Sequence, residues 1–402
     1  MSHFVVIGGG QAGASLVAKL RTEGFDGEIT LIGAEDVPPY QRPPLSKAYL
    51  LGEMELERLY LRPAAFYSDH DIDLRLSTRA VSVDPAARTV ALSTGEYLSY
   101  DALALASGSH PRTLPAAIGG TLDGVFTMRD LRDADTMAPE LVEGRRVLII
   151  GGGYIGLEAA AVCAKKGLSV TLVEMAPRIL QRVASPETSD YFRALHQSHG
   201  VDIREGVGLD RLLGTDRVTG ARLTDGSELA VDFAVVGVGI TPATALAEGA
   251  GLSLDNGIAT DAQCRTSDPA IWAAGDCASC LFEGNRIRLE SVGNAIDMAE
   301  VAAQNMMGKA VDYVPAPWFW SDQYDCKLQI AGLNTGYDAV HVKQTGDARS
   351  HWYYRDGVLV AVDAMNDARN YMIGKRLIEA GKSPAPEVIT DPATDMKALL
   401  RS

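Results

Sequence analysis

The chain has 402 residues, room for two or three domains with full cores, and a formal net charge of −15. That charge argues against nucleic acid or an anionic membrane surface as a general partner. The five cysteines form no disulfide framework, and no apolar stretch approaches the roughly 18 residues of a spanning helix.

In chain order, an apolar strand over residues 4–7 runs into Gly8-Gly9-Gly10-Gln11-Ala12-Gly13, then a proline-free helical stretch, 14–21. A second strand, 29–32, ends shortly before Glu35. Glycines in this order allow a tight turn and let the backbone approach a pyrophosphate at a helix N-terminus. The acid then accepts hydrogen bonds from a ribose hydroxyl. The apolarity of this start belongs to the dinucleotide strand; it lacks a Lys/Arg-rich signal-peptide leader, so a cytoplasmic location is expected.

A proline-rich segment follows, with Pro38, Pro39, Pro43 and Pro44, and residues 34–60 contain no cysteine. A strand-rich return, 74–105, ends in Ala106-Ser107-Gly108, with Arg112 just beyond. The charged connector 129–143 has a helical pattern. The device then repeats: strand 147–150, Gly151-Gly152-Gly153-Tyr154-Ile155-Gly156, helix 157–166, strand 170–173 and Glu174. Its own strand-rich return, 203–236, ends in the turn 237–242, which contains Gly239. One such fingerprint is weak evidence, because Gly-rich strand-to-helix turns also arise for packing reasons. Two, each with strand, helix and acid in order, point to two dinucleotides in one chain.

Residues 271–276 read as a buried strand delivering Asp276, whose burial without polar partners would be costly. Residues 293–307 are helical in pattern, and Pro315 and Pro317 mark a boundary. The remainder reads as strands at 327–331, 339–342, 351–354 and 358–362, then a helix at 369–379, with the last dozen residues expected to be mobile. The predicted fold is α/β: two Rossmann-like dinucleotide-binding domains of glutathione-reductase type, the second inserted in the first, plus a C-terminal α+β domain. The expected partition is 1–112 with 241–317, then 113–240, then 318–402. Cys277-x-x-Cys280 follows Asp276 instead of opening a thioredoxin-like helix, so a packing role is expected. The seven histidines offer no zinc spacing, and no metal is expected.

The ordered set Gly8-x-Gly10-x-x-Gly13, Arg42-Pro43-Pro44-Leu45-Ser46-Lys47, Ala106-Ser107-Gly108, Gly151-x-Gly153-x-x-Gly156-x-Glu158 and Ala274-Gly275-Asp276 spans most of the chain. It resembles the two-dinucleotide-binding flavoprotein reductases, and within them the NADH-dependent ferredoxin reductases of bacterial oxygenase systems, the putidaredoxin reductase-like group. The resemblance implies FAD and NADH as cofactors and, as partner, a [2Fe–2S] ferredoxin feeding a terminal oxygenase. It implies FAD on Gly8, Gly10 and Gly13, with Glu35 on the adenosine ribose. Arg42, Lys47, Ala106, Arg112, Arg129, Asp276, Val292 and Trp320 would surround that cofactor. NADH would take Gly151, Gly153 and Gly156, with Gly239 in the binding set. Lys47 and Glu158 would form the candidate catalytic pair, bracketing the nicotinamide–flavin contact; burying either charge alone would cost several kcal/mol.

Read from the residues alone, Lys47, Arg112 and Arg129 are equally surface cations, and Trp318 and Trp320 equally packing aromatics. Glu174 suits a free 2′-hydroxyl and repels a 2′-phosphate, so NADH is preferred to NADPH. Arg178, four residues on, is a lone cation that could serve a phosphate. Disulfide reductases on this fold carry a cysteine pair after the first βαβ unit, and peroxidase-type relatives carry one cysteine. Its absence leaves a one-electron carrier as the expected acceptor. An acidic ferredoxin needs a local cationic face, for which Lys327, Lys343, Arg369, Lys375 and Arg376 are candidates. The rival readings are an NADH oxidase or peroxidase-type flavoprotein, and a redox-sensing flavin-binding interaction protein. A monomer or weak homodimer is expected.

Overall fold

The computed structural model describes residues 2–401. Contacts divide the chain into two compact units. One comprises Met1–Gln41, Glu55–His110 and Ile240–Pro317; the other comprises Arg42–Met54, Pro111–Gly239 and Trp318–Ser402.

In the first unit the strand His3–Ile7 lies at the centre of a five-stranded parallel sheet. The order is Ile271–Ala273, Ala102–Leu105, His3–Ile7, Glu28–Ile32, Ile72–Arg75. Phe4, Val5, Val6 and Ile7 are all buried, which is why this strand reads as a continuous apolar run instead of an alternating one. The helices Gln11–Thr22 and Val292–Met306 pack together and bury Leu16, Val17, Met298 and Ala302. The strand-rich return includes a separate antiparallel sheet of Ala80–Asp84, Thr89–Leu92 and Tyr97–Ser99.

The second unit repeats the plan. Its parallel sheet runs Asp202–Glu205, Ser169–Glu174, Arg146–Ile150, Phe233–Val236, Val125–Phe126. The same unit holds an antiparallel five-stranded sheet in the order Trp318–Gln323, Cys326–Gly332, Val358–Met365, Ala348–Arg355, Ala339–Thr345. The helix Ala368–Glu379 covers it.

Five expectations differ from the structure. The connector is helical only over Leu131–Met137, capped by Asp130, because Pro139 turns the chain into a 3-10 turn. The strand Trp318–Gln323, just past the Pro315/Pro317 boundary, is an element the sequence pattern does not predict. The C-terminal segment is held, with Ile389 and Met396 buried and Lys382 Nζ donating to the Leu400 carbonyl at 2.9 Å. Lys343 is no docking cation: it is 6% exposed, and its ammonium donates to the carbonyls of Ile389 and Asp391. The segment Arg42–Met54, placed with 1–112 in the sequence partition, groups by contact with the second unit. There its turn Pro43–Ser46 packs on the helix Tyr154–Lys165. Among the described residues no helix is long and apolar enough to cross a membrane.

Candidate functional site

In the first unit the candidates gather past the C-terminal ends of adjacent parallel strands, where open α/β sheets bind ligands. Gly8 has φ +123°, and a Cβ there would sit 2.1 Å from the Ala106 carbonyl oxygen. A Cβ on Gly13 would sit 1.9 Å from the Gly8 carbonyl oxygen. These two glycines are therefore required by the chain's own packing, with Ala106 as the wall behind Gly8. Gly10 is different: a Cβ there meets nothing within 4 Å.

Gly10 is also the N-cap of Gln11–Thr22, with no side-chain cap and no acid in the first turn. By contrast Asp130, Ser185, Ser291 and Asp367 each cap their own helices with a side-chain oxygen. An uncapped helix N-terminus beside open space suits a phosphate. Tyr40 Oη donates to Glu35 Oε2 at 2.6 Å, and Ser109 Oγ donates to Asp276 Oδ2 at 2.9 Å. Asp276 follows Gly275, whose added Cβ would lie 3.1 Å from Ala12 Cβ of the fingerprint helix. Val292 opens the helix Val292–Met306, whose cap Ser291 accepts from the Asn294 amide.

The second fingerprint repeats this geometry. Gly151 has φ +106° and would place a Cβ 2.4 Å from the Gly237 carbonyl oxygen; Gly156 would place one 2.0 Å from that of Gly151. At Gly153 a Cβ meets nothing within 4 Å, and its helix Tyr154–Lys165 has no side-chain cap. Glu174 Oε2 accepts from the Gly152 amide at 2.7 Å and Oε1 from that of Ala176 at 2.8 Å, pinning the carboxylate beside the loop. Arg178 is turned away into its own segment, donating to Ser189 Oγ and to the carbonyls of Ala184 and Ser185. Gly239, with φ +96°, accepts on its carbonyl from the backbone amide of the exposed Arg112 at 2.9 Å.

The same unit gathers a buried ionic cluster. Glu158 is 2% exposed, yet both its carboxylate oxygens accept hydrogen bonds. Ser46 Oγ and Lys47 Nζ donate to Oε2 at 2.8 and 2.7 Å, and Ser321 Oγ donates to Oε1 at 2.7 Å. Removing a partner from such a group costs several kcal/mol. Pro43 and Pro44 pre-set the turn that delivers Ser46 and Lys47. Arg42 and Arg129 meet, the guanidinium donating to the Arg129 carbonyl at 2.9 Å, and the Arg129 amide donates to Asp133. On the strand Trp318–Gln323 one face carries Trp318 and Trp320, stacked at 5.5 Å between centroids. The other carries Phe319, 5.0 Å from the Tyr154 ring, and Ser321. Ser321 was not singled out from the sequence; its signal is a small polar residue alternating within an aromatic strand.

All five cysteines are buried and free. Burial pushes the Cys277 and Cys280 thiols up, so neither rests as the thiolate that dithiol chemistry needs.

Residues 2–302 match the pyridine nucleotide-disulphide oxidoreductase family, and residues 318–400 match the reductase C-terminal family. The ferredoxin reductase subunit of 5,5′-dehydrodivanillate O-demethylase from a Sphingobium strain is 41% identical over 99% of both chains. Putidaredoxin reductase from Pseudomonas putida is 38% identical over 99% of this chain and 96% of that protein. The crystal structure of the covalent putidaredoxin reductase–putidaredoxin complex superposes with a TM-score of 0.96 at 37% identity, covering 100% of this chain and 98% of that one. The chain belongs to the pyridine nucleotide-disulphide oxidoreductase family, in the form that carries a reductase C-terminal domain.

Proposed function

We infer that this chain passes reducing equivalents from NADH, through FAD, to a [2Fe–2S] ferredoxin that serves an oxygenase. The reaction class follows from its relatives: it is an oxidoreductase, a ferredoxin reductase working with FAD and NAD(P)H. The observation that carries the cofactor reading is the pair of middle glycines, Gly10 and Gly153. Each guards space that no protein atom fills, at a helix end no side chain caps. We assign FAD to the first loop and NADH to the second.

Bound FAD would supply the conversion of the two electrons of a hydride into single electrons. The chain's own residues bind and orient. Gly8, Gly10 and Gly13 with the first turn of Gln11–Thr22 hold the FAD pyrophosphate, Glu35 its ribose, and Asp276 its polyol chain. Ala106, Val292, Trp320, Arg112, Arg129 and Arg42 complete that assignment. Gly151, Gly153 and Gly156 hold the NADH pyrophosphate, with Gly239 beside them. Glu174 receives the free 2′-hydroxyl through lone pairs its two amide donors leave unused. The inward commitment of Arg178 supports NADH over NADPH. Lys47 and Glu158 act as the charged pair that orients the reactants for hydride transfer. Domains 1–112 with 241–317 for FAD, 113–240 for NADH and 318–402 as the C-terminal α+β domain are proposed, in a cytoplasmic monomer or weak homodimer. Lys327 and Arg376 remain exposed for an acidic partner.

The test is NADH oxidation by FAD-loaded protein with cytochrome c as terminal acceptor, with and without a [2Fe–2S] ferredoxin. A large ferredoxin-dependent rise in cytochrome c reduction is expected. Oxygen consumption with no such rise would transfer the chain to the NADH oxidases.

A further inference from the structure

Behind Glu158 runs a line of buried side chains that the reaction so described does not use. Ser321, Gln323 and His196 are each 0% exposed. Gln323 Nε2 donates to Ser321 Oγ at 3.1 Å, and His196 Nε2 lies 2.7 Å from Gln323 Oε1. Tyr324 Oη lies 3.2 Å from His196 Nδ1.

The chemistry of each atom fixes the direction of every link. The amide nitrogen of Gln323 is used on Ser321, so its oxygen faces the histidine. A carbonyl oxygen only accepts, so His196 Nε2 carries the proton. Its Nδ1 then accepts from the Tyr324 hydroxyl. Burial pushes His196 down to about 4, so the ring is neutral near neutral pH and has one proton to place. Ser321, receiving from Gln323, donates to Glu158 Oε1. Every donor therefore points toward one carboxylate. The amide of Gln323 does not shuttle protons readily, so the line orients and does not conduct.

That orientation has a specific target. The terminal torsion of a glutamate is broad and two-fold, and a carboxylate held only on one oxygen swings. Ser46 and Lys47 hold Oε2; among the described residues Ser321 alone holds Oε1. We propose that His196 and Gln323 are positioning residues that lock Ser321 onto Glu158 Oε1, holding the Glu158–Lys47 pair in a single geometry for hydride transfer. This rests on the reading that the pair acts in that step.

The experiment is anaerobic rapid mixing of NADH with the FAD-loaded protein, for wild type, Ser321→Ala, Gln323→Leu, the double variant, Ser321→Thr and Glu158→Gln. Each single variant at Ser321 and Gln323 should slow hydride transfer by about 10-fold, the worth of a hydrogen bond to a charged group. The NADH Kd should stay within about 2-fold, the double variant should add no more than about 2-fold, and Ser321→Thr should restore the rate. Nitrogen-15 NMR gives a reading independent of turnover: His196 should be the neutral Nε2–H tautomer at pH 7, and Gln323→Leu should abolish that preference. Wild-type rates in Ser321→Ala and Gln323→Leu, alongside a slow Glu158→Gln, would overturn the proposal alone. An Nδ1–H tautomer in the wild type would also overturn it. A wild-type rate in Glu158→Gln would instead remove the reading beneath it. Should Gln323→Leu fail to fold, the wild-type His196 tautomer, together with Ser321→Ala and its threonine rescue, carries the test.

Discussion

The two nucleotide loops share one plan down to individual glycines, and they differ in what stands behind them. In both, the first glycine meets the carbonyl just past the end of a neighbouring strand and the last closes onto the first, while the middle one faces open space. Two positions past the last glycine, the first loop has Ser15 and the second has Glu158. Ser15 accepts from Gln11 within its own helix. Glu158 draws donors from Ser46, Lys47 and Ser321, far apart in sequence. The acids differ as well. Glu35 rests on a tyrosine hydroxyl, whereas Glu174 is pinned by the loop's own amide at Gly152. The two loops present equivalent uncapped helix ends, and a buried charge distinguishes the second, to which we assign the reductant.

The largest effect should come from removing that charge. Glu158→Ala leaves Lys47, Ser46 and Ser321 without their acceptor and should cost about 3–5 kcal/mol, read as a fall in Tm. Glu158→Gln keeps the shape and should slow hydride transfer by about 100-fold in rapid mixing. Next comes the reductant. NADH should exceed NADPH in kcat/KM by about 2–3 kcal/mol, or 30–150-fold, and Glu174→Ala should erase most of that difference. Equal efficiency in the wild type would end the assignment of Glu174.

A smaller effect concerns pH. His196 titrates at about 4 when folded because burial disfavours its charge, against an ordinary value of 6.5. The unfolded chain binds this proton first on acidification. The stability tied to the neutral ring is complete above pH 6.5 and is lost progressively as pH falls toward 4. At pH 5 the loss should reach ~2 kcal/mol, and His196→Asn should flatten that share of the Tm profile. His351, pushed down to about 3 by burial, acts in the same direction. Asp363, pushed up to about 6 by burial, opposes both, because the folded state binds its proton first. The smallest effect is at Cys280: the Cys280→Ala variant should turn over within about 2-fold of wild type, since no thiolate is involved.

Much of this was legible in the residues. The apolar strands, the glycine spacing and the following acids identify two βαβ units, because period and turn chemistry are local signals. The meeting of Lys47 with Glu158 was accessible only through family resemblance, since nothing local links positions so far apart. Ser321, Gln323 and His196 escaped because their meaning lies in register. The strand Trp318–Gln323 reads as aromatic packing until its alternation is laid over the helix Tyr154–Lys165. Lys343 misled for the opposite reason: a lysine in a polar stretch reads as surface, and only the fold shows its ammonium on the carbonyls of Ile389 and Asp391.

The central claim, one dinucleotide on each loop, is tested most directly by Gly10→Ala and Gly153→Ala, with flavin content, NADH affinity and Tm measured on the same samples. Neither added methyl meets protein within 4 Å. Both apoproteins should keep their Tm to within a few degrees. Gly10→Ala should lose its flavin, whereas Gly153→Ala should keep its flavin and bind NADH at least about 10-fold more weakly. Full flavin content in Gly10→Ala together with unaltered NADH binding in Gly153→Ala would contradict it.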